Sequence, residues 1–263
     1  MGFDPKGLRV LLTGGSSGIG AAMAERLAAA GAVVGITARD EGRLGAVLER
    51  CRAHVPECRS WSLDLADPGQ VDELARGVLD ELGGVDVLIN NAGVPKRKQV
   101  ALLDAATMDA ITRINYLAPV QLTLALLPHM LTRGSGRIVN VSSVAATLSS
   151  PGEAAYDGSK AALAVFSEAM AIDLWDKGIK VLVVYPGVVD TPLFEVPDND
   201  PMTDEIGRIS VDDLVDGVLG ALDQDAVEVY VPEWFKGVAV EKAKNVGAFL
   251  AGTAEWVRSH QET

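Results

Sequence analysis

The feature that most restricts the fold is an alternation of short apolar runs with helical stretches. It begins with the run Leu8-Arg9-Val10-Leu11-Leu12-Thr13, the turn Gly14-Gly15-Ser16-Ser17-Gly18-Ile19-Gly20 and a helix-forming stretch over 21–30. Runs at 33–38, 59–63, 85–89, 136–143, 179–185 and 227–231 read as further strands. Helical stretches at 41–53, 71–82, 107–131 and 211–223, and one carrying Tyr156 and Lys160, lie between them. Strands separated by helices pair in parallel through right-handed crossovers, with helices on both faces. The reading is an α/β fold, a doubly wound parallel sheet of seven strands, whose ligands bind beyond the C-terminal strand ends. Neither a repeat nor a linker divides the chain, so 1–263 is read as a single domain.

Composition narrows the class. Of 263 residues, 48% are hydrophobic, enough to bury one large core. Lys and Arg number 23 against 36 Asp and Glu, a formal net charge of -13, which argues against nucleic acid as a partner. Cys51 and Cys58 stand apart from any second pair and from His at metal spacing, so reduced structural thiols are expected and no metal site. The N-terminus lacks a signal-type apolar region, and charge interrupts the apolar runs before the ~18 residues a membrane span needs. A cytoplasmic protein is expected.

Candidate site residues gather at the predicted strand ends. Gly14, Gly18 and Gly20 leave room for backbone to turn and for a pyrophosphate to approach the helix N-terminus, whose free N–H groups favour anions. Asp64 closes the third strand, where its carboxylate either meets an adenine amino group or caps the following turn. Ala38 and Arg39 stand where an acidic residue would bind a ribose 2′-hydroxyl. A guanidinium there suits a 2′-phosphate, although Asp40 follows and Arg39 can equally face water. Asn115 interrupts a long helix, a position where asparagine is locally unfavourable.

Tyr156 and Lys160, four apart, share a helix face. A tyrosine pKa lowered from about 10 to near 7 needs roughly 4 kcal/mol of phenolate stabilisation. One positive charge about 4 Å away at an effective dielectric near 20 supplies roughly that. The pair alone is weak evidence; many helices carry such a spacing without function.

Together, Thr13-Gly14-Gly15-Ser16-Ser17-Gly18-Ile19-Gly20, Asn90-Asn91-Ala92-Gly93, Asn115, Ser143, Tyr156-x-x-x-Lys160 and Pro186-Gly187-Val188-Val189-Asp190-Thr191 resemble the short-chain dehydrogenases/reductases over residues 5 to 231. The resemblance implies a Rossmann-type sheet, a nicotinamide cofactor, a small-molecule substrate and carbonyl/alcohol chemistry. It implies Tyr156 as acid/base, Lys160 on the phenol and the nicotinamide ribose, Ser143 on the substrate oxygen and Asn115 supporting a proton-relay water. Thr13, Gly14, Ser16, Ser17, Gly18, Ile19 and Gly20 would form the cofactor turn. Asn91, Ala92 and Gly93 would line the adenosine ribose side, Asp64 and Leu65 the adenine, and Pro186, Gly187, Val189 and Thr191 the nicotinamide side. Arg39 favours NADP(H), with NAD(H) as the other possibility. Asp157 departs from the small residue more usual after the tyrosine.

The alternative is a nucleotide-binding regulator or scaffold without turnover; a complete Asn115, Ser143, Tyr156 and Lys160 set favours the oxidoreductase. Lyase or epimerase chemistry would show altered tetrad residues. The polar, proline-rich stretch 191–210 reads as a substrate lid. The apolar surfaces of the Asn115 and Tyr156 helices predict a homodimer or homotetramer. The tail, 233–263, reads as one aromatic-rich helical face with weak points at Gly237, Gly247 and Gly252, expected to cover the pocket or a subunit contact rather than a membrane.

Overall fold

The computed structural model describes residues 2–191, 199–200 and 207–261. Seven parallel strands run in the order β3-β2-β1-β4-β5-β6-β7, where β1 is Arg9–Thr13, β2 Val33–Ala38, β3 Arg59–Ser62, β4 Val87–Asn90, β5 Gly136–Val141, β6 Ile179–Pro186 and β7 Glu228–Val231. The inner strands are nearly continuous apolar runs because helices cover both faces. On one face α1 (Gly18–Ala29), α2 (Glu41–Arg52) and α8 (Val211–Asp223) bury Met23, Leu27, Leu44, Val47, Leu214 and Val218. On the other, α3 (Pro68–Leu82), α5 (Ala118–Arg133) and α7 (Ala154–Asp173), which follows the single turn α6 (Ala145–Leu148), bury Val71, Val78, Leu122, Leu126 and Met170. The sheet order reverses beside β1, between β2 and β4, so a crevice opens at the C-terminal ends of β1 and β4.

Caps set two helix starts earlier than apolar periodicity suggested, at Pro68 and Ala105. The Asp67 carboxylate accepts from the Gly69 N–H at 2.8 Å, and α3 begins at Pro68 rather than near Val71. Ser210 and Asp213 form a reciprocal capping box at the start of α8. The long helix around Asn115 is α4 (Ala105–Thr112), a π-helical turn at Arg113–Leu117 and α5, continuous over Ala105–Arg133. By length and composition it is apolar enough to cross a membrane, which a search for uninterrupted apolar runs misses. Leu122, Leu126 and Met130 pack in the core, so it is a covering helix of the sheet.

The tail departs from the single face expected of it. It breaks at Asn245, whose side chain caps the Ala248 N–H at 3.0 Å, into α9 (Trp234–Lys244) and α10 (Val246–Gln261). The break falls at this residue, which closes α9 and caps the start of α10, rather than at Gly237, Gly247 or Gly252. Phe235 turns inward, whereas Trp234, stacked on it at 3.8 Å between ring centroids, Val246 and Leu250 stay exposed. Of the expected lid, residues 192–198 and 201–206 lie outside the described residues. Cys51 and Cys58 are both buried and free, and burial pushes the Cys51 thiol up to about 12.

Candidate active site

A cavity of about 1420 Å³ opens at the crevice. Its floor is the turn between β1 and α1. Gly14 has φ +72°, and a Cβ there would lie 2.9 Å from the Ala92 Cα, so only glycine lets the two strand ends approach. At Gly20 an added Cβ would overlap the Gly14 carbonyl oxygen. Ser17, the N-cap of α1, makes no side-chain cap, and the first backbone bond from the turn into the helix runs from the Ala21 N–H to the Ser17 carbonyl. The leading N–H groups of α1 therefore point into the cavity with the positive end of the helix dipole.

The Thr13 hydroxyl accepts from the Asn91 and Ala92 N–H groups at 3.1 and 3.0 Å, and the Asn91 amide donates to the Thr13 carbonyl at 3.0 Å. Thr13 is buried behind the floor as a brace and does not line the cavity. Gly14, Ser16, Ser17, Gly18, Ile19, Gly20, Arg39, Asp64, Leu65, Asn91, Ala92, Gly93, Pro186, Gly187, Val189 and Thr191 do line it, together with Ser143, Tyr156 and Lys160. Asp64 serves as a turn cap, its Oδ1 accepting from the Ala66 N–H at 2.9 Å, while still bordering the cavity.

Asp40 is engaged as the N-cap of α2. Its carboxylate accepts from the Arg43 N–H at 2.9 Å and from the Arg43 guanidinium at 2.7 Å. Those bonds, from the backbone first and the side chain second, hold its pKa below the ordinary range. Arg39, exposed at the cavity edge, has no side-chain partner among the described residues. Arg43 lines the same edge; the sequence reading missed it, although the Asp40-x-x-Arg43 spacing at a helix start signals the cap.

Lys160 is buried and doubly gripped by β5 and its continuation. Its ammonium donates to the Val141 carbonyl at 2.8 Å, and its own carbonyl accepts from the Ser142 hydroxyl at 2.9 Å. A Cβ on Gly93 would come within 3.2 Å of the ammonium and 3.3 Å of the Asn115 side-chain oxygen, so glycine admits both groups. Asn115, fully buried in the π turn, accepts from the Val94 N–H at 2.8 Å and donates to the Val94 carbonyl and the Ser159 hydroxyl, both at 3.0 Å. It does not line the cavity; it ties the Gly93–Val94 backbone to α7. Ser159, which sequence reasoning did not single out, completes that tie by donating to the Tyr156 carbonyl at 2.7 Å.

The electrostatics correct one expectation. The Lys160 ammonium sits 5.9 Å from the Tyr156 ring centroid, turned toward Val141, and the phenol is pushed above its ordinary pKa rather than below. Burial is the main cause; a hydrogen bond with Ser143 opposes it, and the charges of Glu153 and Asp157 add to it. The same burial pushes Lys160 down to about 8. Desolvation of the phenolate outweighs the help a lysine one helical turn away can give.

The sequence model of the short chain dehydrogenase family matches residues 9–201. A fatty acyl-CoA reductase of Acinetobacter baylyi is 35% identical over 190 residues, covering 72% of this chain and 64% of that enzyme. The match thus spans less than two thirds of the length of the curated relatives it meets first, 62% and 64% in two of them. Among solved structures, a short-chain dehydrogenase from Sphingobium yanoikuyae in complex with NADPH is 29% identical, covers 96% of this chain and 95% of its own, and superposes with a TM-score of 0.80. A short chain dehydrogenase/reductase from Burkholderia phymatum in complex with NAD, 23% identical over 93% of this chain and 95% of its own, shares the fold with a TM-score of 0.85. A family match over most of the sheet, joined to the glycine floor and the Ser143, Tyr156 and Lys160 cluster beside it, places this chain in the short-chain dehydrogenase family.

Proposed function

We propose that this protein is an NADPH-linked reductase of apolar aldehydes or ketones. The observation that carries the reading is the meeting, in one cavity, of an anion-receptive helix start with a half-buried tyrosine and a buried serine and lysine. The glycine floor fits a dinucleotide, because its open space is of the kind any side chain would fill. Gly14 to Gly20 would hold the pyrophosphate, Asp64 and Leu65 the adenine, and Lys160 the ribose beside the reacting end. When bound, the nicotinamide supplies the hydride. Ser143 hydrogen-bonds the substrate oxygen as charge develops on it, and Tyr156 delivers the proton. A raised phenol pKa keeps Tyr156 protonated at neutral pH, the form that reduction requires. Val144, Leu148, Phe235, Trp256 and Val257 give the cavity an apolar side, and the similarity to a fatty acyl-CoA reductase supports an apolar substrate. The test is a panel of apolar aldehydes and ketones, at least one of which should oxidise NADPH well above background; tight NADPH binding with no turnover across the panel would favour the regulator instead.

The preference for NADPH rests on Arg39, whose guanidinium has no side-chain partner among the described residues at the second strand end while Asp40 is paired with Arg43. Arg39→Ala is expected to lower the ratio of NADPH to NADH specificity constants by about tenfold, the size of one charge-assisted hydrogen bond. An unchanged ratio would refute the assignment.

The homo-oligomer also remains a proposal. Leu122, Leu163 and Leu174 belong to the chain's own core, whereas Leu124, Val165, Ile172 and Trp175 are 56%, 64%, 75% and 77% exposed on α5, α7 and the turn after α7. That much exposed apolar surface is accounted for by a second copy of the chain. Val165→Glu should shift light scattering from at least twice the 27.6 kDa chain mass toward that mass. A wild-type protein that is already monomeric at micromolar concentration would contradict the proposal.

A further inference from the structure

Beside its apolar side, the cavity presents a polar group formed by Arg97, Gln99, Ser150 and Glu153. Glu153 is the N-cap of α7, three residues before Tyr156, yet its side chain makes no cap. Its half-buried carboxylate has no hydrogen-bond partner among the described residues, although it lines the cavity and is close enough for its charge to act on the phenol. Burial pushes the pKa of this carboxyl up, and the charge of Arg97, buried nearby, opposes part of that rise.

The segment that carries Glu153 is held from several directions. The Gly152 carbonyl accepts from the Lys98 N–H at 2.6 Å, and the Glu153 N–H donates to the Ser150 carbonyl at 3.2 Å. The Ser150 N–H donates to the Asp157 carboxylate at 2.6 Å. From α9, the Lys242 ammonium donates to the Thr147 carbonyl and the Ser149 hydroxyl, both at 2.7 Å, steadying Ser149 at a φ of 65° that a serine rarely adopts. Asp157, the residue that departs from the family's usual small side chain, thus anchors the wall next to the tyrosine. A carboxylate on a braced backbone that lines the cavity, with no hydrogen-bond partner among the described residues, is placed to receive a donor group.

We propose that Glu153 is a specificity-determining residue, accepting a hydrogen bond from a hydroxyl or amine that the substrate bears close to its reacting carbonyl, with Asp157 and Lys242 as positioning residues for it. The substrate class is then an amphipathic carbonyl, its apolar part toward Leu148, Phe235 and Trp256 and its donor toward Glu153. The inference rests on the carbonyl-reductase reading above and narrows it.

The test compares acetophenone with 2-hydroxyacetophenone, which differ by one hydroxyl beside the carbonyl, as substrates of the NADPH-loaded wild type, Glu153→Leu and Glu153→Gln. Because the two ketones differ in intrinsic reactivity, the readout is how their ratio of kcat/KM changes between proteins. Glu153→Leu should lower the preference for the hydroxyketone by about tenfold, chiefly through KM, and Glu153→Gln, which still offers an acceptor, should restore a large part of it. Asp157→Ala should act in the same direction more weakly, with Asp157→Asn closer to wild type. A ratio unchanged in Glu153→Leu overturns the inference. So does a wild type that neither binds nor reduces the hydroxyketone; NADPH binding and turnover of another carbonyl in that protein would leave the broader reductase reading standing.

Discussion

Replacing Tyr156 by Phe is expected to lower turnover by about a thousandfold while leaving NADPH affinity within a few-fold of wild type. The ring would still pack in place, and Lys160, held by the Val141 carbonyl at 2.8 Å, does not depend on the phenol for its position. Only the proton donor is removed, and positioned general acids contribute on the order of a hundred- to ten-thousandfold. The effect should fall on kcat and kcat/KM alike. Near-normal turnover in the variant would dismiss Tyr156 as the acid, whatever the fold.

Lys160→Ala is the second large effect, and a broader one. The ammonium is buried between β5, Gly93 and Asn115, so its loss leaves the Val141 carbonyl without this donor and opens space behind the ribose end of the cavity. NADPH affinity should fall by about tenfold or more and turnover by a further hundredfold, two losses separable by pre-steady-state kinetics. A pH signature accompanies them. Burial pushes Lys160 down to about 8, so the charged form is lost as pH rises through that value. Wild-type NADPH affinity should weaken above about pH 8, whereas the alanine variant should show no such inflection. An intact affinity with loss of rate alone would show that the lysine serves the chemistry and not the cofactor.

What could be read from the residues in order was whatever rests on local geometry. The run from Leu8 to Gly20 places strand, turn and helix by itself, and the strand ends that follow bring Asp64, Asn91 and Pro186 to one edge because parallel crossovers leave no other arrangement. What could not be read depends on contacts between distant segments. The Asn115 amide finds Val94 and Ser159, and Lys242 reaches back to Thr147, because helices that meet in the fold are far apart in the chain. Phe235 packs against Gly187, where a Cβ would come within 2.6 Å of its ring, for the same reason. The direction of the Tyr156 shift was misjudged because a Coulomb estimate for two helix neighbours omits their burial, which the packing of β5, Gly93 and α7 determines. Helix starts slipped by two or three residues at α3 and α4, where a capping Asp, Asp67 or Asp104, stands ahead of the first residue of the apolar pattern.

The most direct measurement of the central claim is isotopic. The protein is incubated with NADPH carrying deuterium on the transferable C4 position and with the best-reduced carbonyl of the panel, and the product is analysed by mass spectrometry and proton NMR. The account predicts one deuterium on the carbinol carbon of the product, none on its hydroxyl, and about a thousandfold less product with Tyr156→Phe in the same period. NADPH bound in the cavity with no deuterium delivered to any carbonyl would contradict it and identify the chain as a nucleotide-binding protein without turnover.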